Sequence, residues 1–434
     1  ENVQGLPANT WCYHIEASTF GSGIAYAVFD GHTKNDMNTY VYKTSDFGKS
    51  WKPIMTDQIN GFARAFQEDY ENENLLFLGT ELGLYVTVDG GLNWSKFTNN
   101  MPSVAIHQLE LQKATSDLVM GTHGRGVIIL DDISPLRQIT ADMLNEKLVF
   151  LDTKPTEMWE EDSFGGTSGE TQFVGNNPSR SARIVYYLSK RHTFGKMTMK
   201  VLDSEGNFVT NLAPGKKKGI NVVSWGCTMR SPKVAQGKTF AQGGMAAPRV
   251  KAGKYTIVIQ KGKEMYEHEI EVKYPSKTEF TIAERDQQFD TAMDLYKLTE
   301  DLAYMVYEID EMINYIESNN DQRGLSNQAA ITIAKLQALK ETLVITTGDN
   351  YVGAAEPELR EKLAKIYAKI VGYYGAPTNS QMKNVALLKG DYEAAVKTLE
   401  AIKAKSWKKY MKMATKLELS PLELKAYEEF VKKS

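Results

Sequence analysis

An eight-residue turn pattern occurs twice in the first quarter of this chain and limits what this region can fold into. The copies, at residues 44–51 and 87–94, share Thr, Asp, Gly and Trp at the same offsets and lie 43 residues apart. A period of about 40 to 50 residues is typical of the four-stranded blades of a β-propeller. The spacing therefore predicts that residues 1–134 form the last blades of a propeller that is incomplete in this chain.

The strand count in this region gives the reason for calling it incomplete. Two sets of four short strands are predicted between residues 15 and 97, whereas a third set begins at residue 104 and has only three. A propeller closes with at least about four blades. We therefore expect the missing blades to come from an N-terminal portion of the same protein or from another chain. The start at Glu1 rather than Met fits the first source.

Turn chemistry explains the repeated pattern locally. The Asp carboxylate accepts hydrogen bonds from backbone N–H groups across the turn, the Gly permits a positive φ, and the Trp ring packs under the hairpin. In the alternative, Asp46 and Asp89 bind a sugar or a metal, but they would lie on an outer hairpin, far from the central channel. The residues interpreted as structural are Thr44, Asp46, Gly48, Trp51, Thr87, Asp89, Gly91 and Trp94.

Both octapeptides resemble the Asp-box, or BNR repeat, of sialidases, sortilin-type receptors and xyloglucanase-type glycoside hydrolases. The surrounding residues, such as LLFLGTE at 75–81 and THGRG at 122–126, resemble the last blades of large secreted bacterial proteins with a sortilin-like propeller. Those proteins are described as glycosyl hydrolases by similarity. The resemblance implies that a small β domain and a helical segment follow the propeller, in a secreted or cell-envelope protein of the periplasm or outer-membrane surface.

Three loop residues are candidate ligand-binding residues: Glu81, His123 and Arg125. His123 and Arg125 lie between glycines at 122–126 and would present an imidazole and a guanidinium to an acidic ligand. The alternative is a repeated turn, since residues 79–83 occupy the equivalent place one blade earlier and their glycines serve backbone geometry. No catalytic residue, metal ligand or cofactor is predicted, because the sequence contains no nucleotide-binding loop, metal signature or nucleophile motif.

Carboxylates on the predicted loops bear on an enzymatic function. Glycoside hydrolysis uses two carboxyl groups about 5 to 9.5 Å apart. Asp30, Asp36, Glu81 and the adjacent Glu68 and Asp69 supply acids, but the sequence pairs none of them. Glu68 and Asp69 are predicted to begin a solvated loop.

Two further domains are predicted after a connector at 135–146. Residues 147–275 lose the 43-residue period and contain at least five strand patterns, which favours an immunoglobulin-like β-sandwich. Within it lies the Gly-, Ala- and Gln-rich loop 229–248. A loop of this length is usually functional or disordered, and the favoured interpretation here is disorder or packing against the propeller rather than a function. Residues 280–434 show apolar side chains at intervals of three and four, which predicts a bundle of four or five helices. A capping box is predicted at 420–423.

Composition excludes some functions and leaves three open. With 434 residues and a formal net charge of -3, the chain lacks the basic footprint of a nucleic-acid-binding protein. Its two cysteines, Cys12 and Cys227, suit neither a disulfide framework nor a zinc site. No apolar run reaches the roughly 18 residues of a membrane span. The leading hypothesis is a protein- or glycan-binding component of a larger assembly; the alternatives are a glycoside hydrolase and a purely architectural subunit.

Overall fold

The computed structural model describes residues 3–140, 142–160, 181–239, 241–319, 324–347 and 356–432. Parts of the predicted connector, sandwich and bundle therefore lie outside the described residues. The described part is mostly β-sheet up to residue 273 and helical from residue 282 onwards, as the sequence predicted. No helix within these ranges combines the length and the apolar character that a membrane crossing requires.

Three antiparallel sheets, each built from consecutive strands, form the N-terminal region. The first consists of β1 (Trp11–Ala17), β2 (Ala25–Asp30), β3 (Tyr40–Thr44) and β4 (Lys52–Pro53). The second consists of β5 (Ala63–Glu68), β6 (Leu76–Thr80), β7 (Gly83–Thr87) and β8 (Ser95–Lys96). The third contains β9 (Ile106–Gln112), β10 (Asp117–Thr122) and β11 (Val127–Leu130), and no fourth strand among the described residues. We call residues 11–130 the three-sheet array.

Neighbouring sheets of the array pack face to face through apolar side chains. Tyr26 of the first sheet stacks on Phe66 of the second, with ring centroids 4.5 Å apart. Gly79 marks the close approach between the second and third sheets, since a Cβ there would lie 2.7 Å from Ile106 Cγ2 and 3.0 Å from Ala65 Cβ. The lack of a side chain at residue 79 therefore sets the spacing between these sheets.

The connector is fastened to the array by a buried ion pair. A 3₁₀ helix, Ser134–Gln138, carries Arg137, whose Nε and Nη2 each donate to the carboxylate of Asp69 at 2.8 Å. Asp69 is 0% exposed and Glu68 is 4% exposed. The prediction of a solvated loop at these two acids is wrong, because each carboxylate has partners from distant parts of the chain. A second 3₁₀ helix, Met143–Asn145, follows.

Two sheets share the core of the next region. One contains β12 (Leu148–Leu151), β14 (Ala182–Leu188) and β17 (Gly219–Trp225). The other contains β13 (Thr156–Glu157), β15 (Met197–Leu202), β16 (Phe208–Leu212), β18 (Gly253–Lys261) and β19 (Glu264–Lys273). Trp225 lies in the core between them, edge-on to Tyr255 at 5.1 Å between centroids.

Helices make up the rest of the described chain. They are α1 (Ile282–Ser318), α2 (Ser326–Leu343), α3 (Leu359–Val371), α4 (Asn379–Ile402), α5 (Lys408–Lys416) and α6 (Tyr427–Val431), with a π-helical turn, Lys403–Trp407, between α4 and α5. Capping boxes start α1 at Thr281 and α4 at Thr378. The capping box predicted at 420–423 is wrong. That stretch runs non-helically along α1, where Tyr315 donates to the carbonyl of Ser420 at 2.6 Å.

The Gly-, Ala- and Gln-rich loop 229–248 packs on the helices, which corrects the prediction of disorder or packing against the propeller. We call its described residues the helix-bound loop. Arg360 of α3 donates through Nη1 to the carbonyl of Ala235 at 3.0 Å and through Nη2 to the carbonyl of Thr239 at 2.8 Å. Tyr367 donates to the carbonyl of Ala246 at 2.8 Å. Side chains of α3 therefore satisfy loop carbonyls that have no strand partner.

Candidate binding site at the inner-strand bulges

The first strands of the three sheets, β1, β5 and β9, lie side by side, and each has an irregularity in its pairing near one end. In β5, for example, Ala63 pairs with Thr80 and Ala65 with Gly79, so that the residue between them has no cross-strand partner. The unpaired residues are Tyr13 in β1, Arg64 in β5 and His107 in β9. A β-bulge re-aims the side chain it carries. The three bulges direct an aromatic ring, a guanidinium and an imidazole to one place.

Arg64 is the centre of this group. Its Nη1 donates to Nε2 of His107 at 3.0 Å, and its guanidinium carbon lies 5.2 Å from the ring centre of Tyr13. On its other side, Nε donates to Oδ2 of Asp30 at 3.0 Å. Since the side chain is 17% exposed, the charge remains reachable from solvent while its orientation is fixed by these contacts.

Asp30 and His32, at the end of β2, complete the inner part of the group. Oδ1 of Asp30 accepts hydrogen bonds from the backbone N–H of His32 at 2.9 Å and lies 2.7 Å from its Nδ1. Burial alone would raise the pKa of Asp30, but the hydrogen bonds from His32 and Arg64 outweigh it and lower the pKa. Asp30 is therefore a charged anchor for Arg64. The ring of His32 stacks on Phe62 at 4.7 Å.

His107 is neutral when it accepts the hydrogen bond from Arg64. Burial lowers the pKa of His107, and the positive charge of Arg64 and the neighbouring His123 lower it further, with Asp30 opposing. The rings of His107 and His123 are 5.2 Å apart between centroids. We call Tyr13, Asp30, His32, Arg64, His107 and His123 together the bulge site.

We expect His107 to make the array less stable in mild acid. Because the native pKa is below the unfolded value of about 6.5, the stabilisation is fully present above pH 6.5 and declines as the pH falls towards the native pKa. Protonated His107 also cannot accept from Arg64. The unfolding midpoint should therefore fall more steeply between pH 7.5 and pH 5 in the unmodified chain than in His107→Gln, whose amide oxygen accepts at any pH. Parallel pH profiles would contradict this expectation.

All three predicted ligand-binding residues lie at this end of the array, and one of them contacts a bulge residue. His123 lies against His107, and the backbone N–H of Glu81 donates to the carbonyl of Phe62 at 3.1 Å. Arg125 is exposed in the same turn as His123, between Gly124 and Gly126, which both have positive φ. Sequence reasoning missed the bulge residues themselves, although Arg64 and His107 are also 43 residues apart.

Most of the loop acids considered for catalysis already have partners. Glu68 accepts from Tyr26 Oη at 2.8 Å and from Ser18 Oγ at 2.9 Å, and Asp36 accepts from Tyr40 Oη at 2.9 Å. Asp30 and Asp69 are bound by Arg64 and Arg137, as described above. Among the described residues, these four carboxylates are thus structural anchors.

The two repeated turns show matching hydrogen bonds. Thr44 donates to Asp46 at 2.9 Å, and the backbone N–H of Ser50 donates to the same carboxylate at 2.9 Å. Hydrogen bonds from Ser50 lower the pKa of Asp46 to about 2. Thr87 likewise donates to Asp89 at 2.7 Å. In the part of the chain that the structure describes, no three His, Cys, Asp or Glu side chains are grouped to hold a metal ion.

Comparison with known proteins gives weak similarities. No family model and no curated protein matches this chain. A GH74 enzyme from Niastella koreensis shares 14% identity over 60% of this chain and 38% of its own, with a TM-score of 0.25. The GH74 xyloglucanase from Xanthomonas campestris shares 12% identity over 59% of this chain and 38% of its own, with a TM-score of 0.25.

A surface protein is also among the similar structures. PorZ, an essential surface component of the type-IX secretion system of Porphyromonas gingivalis, shares 12% identity over 57% of this chain and 37% of its own, with a TM-score of 0.22. The chain spans less than half the length of these three structures. At such TM-scores, the similarities assign neither a fold nor an activity to the chain.

Proposed function

We propose that this chain is a secreted or cell-envelope protein of a sortilin-like propeller family, which acts by binding a protein or glycan partner within a larger assembly. The observation that carries the proposal is the convergence of three bulged side chains, Tyr13, Arg64 and His107, at one end of the array. Binding residues are disproportionately found where a rigid scaffold presents them at its loops. The arrangement supplies an aromatic face, a cation and hydrogen-bonding rings, which are elements of recognition.

The architecture we propose combines the three-sheet array with further blades. The outer face of the third sheet carries Val127 and Ile129, which are 65% and 55% exposed. Their cross-strand partners are Gly121, opposite Val127, and Val119, opposite Ile129. Exposed apolar side chains on a sheet face favour coverage by another sheet. We propose that blades from an N-terminal portion of the same protein, or from another chain, cover this face and pair with the open edge of β11.

For the rest of the chain, we propose that residues 147–275 form an immunoglobulin-like sandwich and residues 280–434 a helical bundle. The shared core of the two sheets and the separate core of the helices support this division. In the helix-bound loop, Arg230 pairs with Glu300 of α1 at 2.9 Å. This contact joins the two proposed domains, and it is buried on the helical side, since Glu300 is 5% exposed.

Photo-cross-linking tests the binding function. A cross-linking amino acid at position 123, in the bulge site, is expected to capture a partner in native envelope preparations. The matched control is position 92, which is exposed on the outer hairpin of the second sheet and 76% accessible. Capture from 123 but not from 92 supports the proposal. No adduct at 123, with full-length protein present, contradicts it.

The alternative function is glycoside hydrolysis, and we expect this chain to show no hydrolytic activity. Its loop acids Asp30, Asp36, Glu68 and Asp69 are held by hydrogen bonds or ion pairs, whereas hydrolysis needs a free acid and a second carboxylate. A panel of xyloglucan, sialylated and other glycans should therefore show no turnover above a buffer blank. Turnover that Glu81→Gln abolishes would favour the hydrolase, because Glu81 was the other acid considered.

A further inference from the structure

We propose that the bulge site recognises an acidic side chain, Asp or Glu, on a polypeptide partner. This inference rests on the binding function proposed above and names the class of ligand. The carboxylate would bind to the outward edge of Arg64, and Trp11 would pack against the partner beside it.

Arg64 has donors left for a ligand. Its Nε donates to Asp30 and its Nη1 to His107, while Nη2 lies 3.2 Å from Nε2 and 3.3 Å from Nδ1 of His32. Because Nδ1 of His32 faces Asp30, Nε2 is the acceptor on this ring, and each guanidinium nitrogen uses one N–H. A guanidinium has five N–H donors, so about two remain. Because Nη1 and Nη2 each keep one, the guanidinium can still donate two hydrogen bonds to a carboxylate, and such charge-assisted hydrogen bonds are strong.

Preorganisation makes the site more effective than a free surface arginine. The hydrogen bond to Asp30 and the stacking of Tyr13 hold the guanidinium before any ligand arrives. A side chain that is already ordered loses less conformational entropy on binding. Asp30 reduces the net charge, but it also fixes which edge of Arg64 faces outwards.

Trp11 lies beside this edge. It pairs directly with Asp30 across β1 and β2, and directly paired residues project from the same face of a sheet. Trp11 is 72% exposed and Tyr13 is 42% exposed. Trp, Tyr and Arg are the residue types that dominate the binding energy of protein interfaces, usually in a central cluster. Here one residue of each type is found, Tyr13 and Arg64 in the bulge site and Trp11 beside it.

The surroundings favour a polypeptide over a glycan. Loops at the same end of the array expose apolar side chains, with Met37 48% and Leu82 39% accessible. A protein surface buries such groups, whereas a hydroxyl-rich glycan gains little from them.

Fluorescence polarisation with two probes of equal charge tests the proposal on the full chain: a ten-residue oligoglutamate peptide and a ten-residue oligogalacturonate. The peptide is expected to bind, and at least tenfold more tightly than the uronate. Arg64→Gln should weaken peptide binding by about 30-fold or more, the loss typical of an interface hot spot. Trp11→Ala should weaken it by about fivefold or more. Lys49→Gln, in the exposed turn between β3 and β4, is the matched control and should bind like the unmodified chain.

The outcomes separate this inference from the proposed function. Uronate binding that equals or exceeds peptide binding overturns the polypeptide class, while leaving a binding function in place. Equal peptide binding by Arg64→Gln, or no binding of either probe, overturns the acidic-ligand inference even if position 123 cross-links a partner. Arg64→Gln could fail to fold, which its circular dichroism spectrum would show. In that case peptide binding is measured for Trp11→Ala and His123→Ala instead, because both residues are exposed and their replacement leaves the core intact. Unchanged binding by both then counts against the proposal.

Discussion

Replacing Arg137 by alanine is expected to destabilise the three-sheet array by about 3 to 5 kcal/mol, the usual cost of removing one partner of a buried ion pair. Asp69 is 0% exposed and would keep its charge without the two hydrogen bonds that Arg137 donates at 2.8 Å. The guanidinium also packs on Tyr70, 4.6 Å from the ring centre. The variant therefore loses packing as well as charge neutralisation.

Hydrogen exchange with mass spectrometry measures this loss locally, on peptides from β5, β6 and β10. Arg137→Lys is the first control, because it keeps the charge but not the bidentate geometry, and an intermediate loss is expected. Arg137→Met combined with Asp69→Asn is the second, since it removes both charges and should recover much of the stability. If the amides of these peptides exchange as slowly in Arg137→Ala as in the unmodified chain, the ion pair does not stabilise the array.

Replacing Arg360 by alanine is expected to release the helix-bound loop, at a cost of about 3 kcal/mol or more. Arg360 is 4% exposed and donates to the carbonyls of Ala235 and Thr239 and to the Thr239 hydroxyl. Each buried acceptor left without a donor costs about 1 to 3 kcal/mol. The loss should be concentrated in the loop and in the N-terminal half of α3.

Limited proteolysis at Lys233 and Lys238 checks the effect on the loop. Cleavage should be faster in Arg360→Ala than in the unmodified chain by about two orders of magnitude, as a change of 3 kcal/mol in a local opening equilibrium implies. Thr239→Val is the matched control, because it removes only the hydroxyl, which accepts from Arg360 and donates to Glu361, and leaves both loop carbonyls bound. Its cleavage rate should rise by about tenfold or less. Equal rates in all three proteins would mean that other contacts hold the loop.

The strand and helix pattern could be predicted from the sequence because it rests on local signals. The 43-residue period predicted two sets of four strands and one of three, and the apolar spacing after residue 282 predicted the long helix α1. Errors arose where a distant residue determines the local state. Asp69 resembles a loop acid until Arg137, 68 residues away, is placed beside it.

The bulge site could be predicted only in part, for a similar reason. His123 and Glu81 stand out in glycine-bounded turns, so that the sequence itself marks them. Arg64 lies within a strand pattern, and a bulge is a property of the pairing between two strands rather than of one segment. The helix-bound loop was misassigned because its composition resembles disorder, whereas its order comes from side chains of α3 such as Arg360 and Tyr367.

The bulges also bear on how such a site can evolve. Each bulged residue has no cross-strand partner, while the residues on either side keep their pairing, as Ala63 and Ala65 do around Arg64. A substitution at residue 13, 64 or 107 therefore alters the chemistry presented by one sheet without shifting its register. The three positions, one per repeat, are thus where a single substitution would change the ligand that the array can bind.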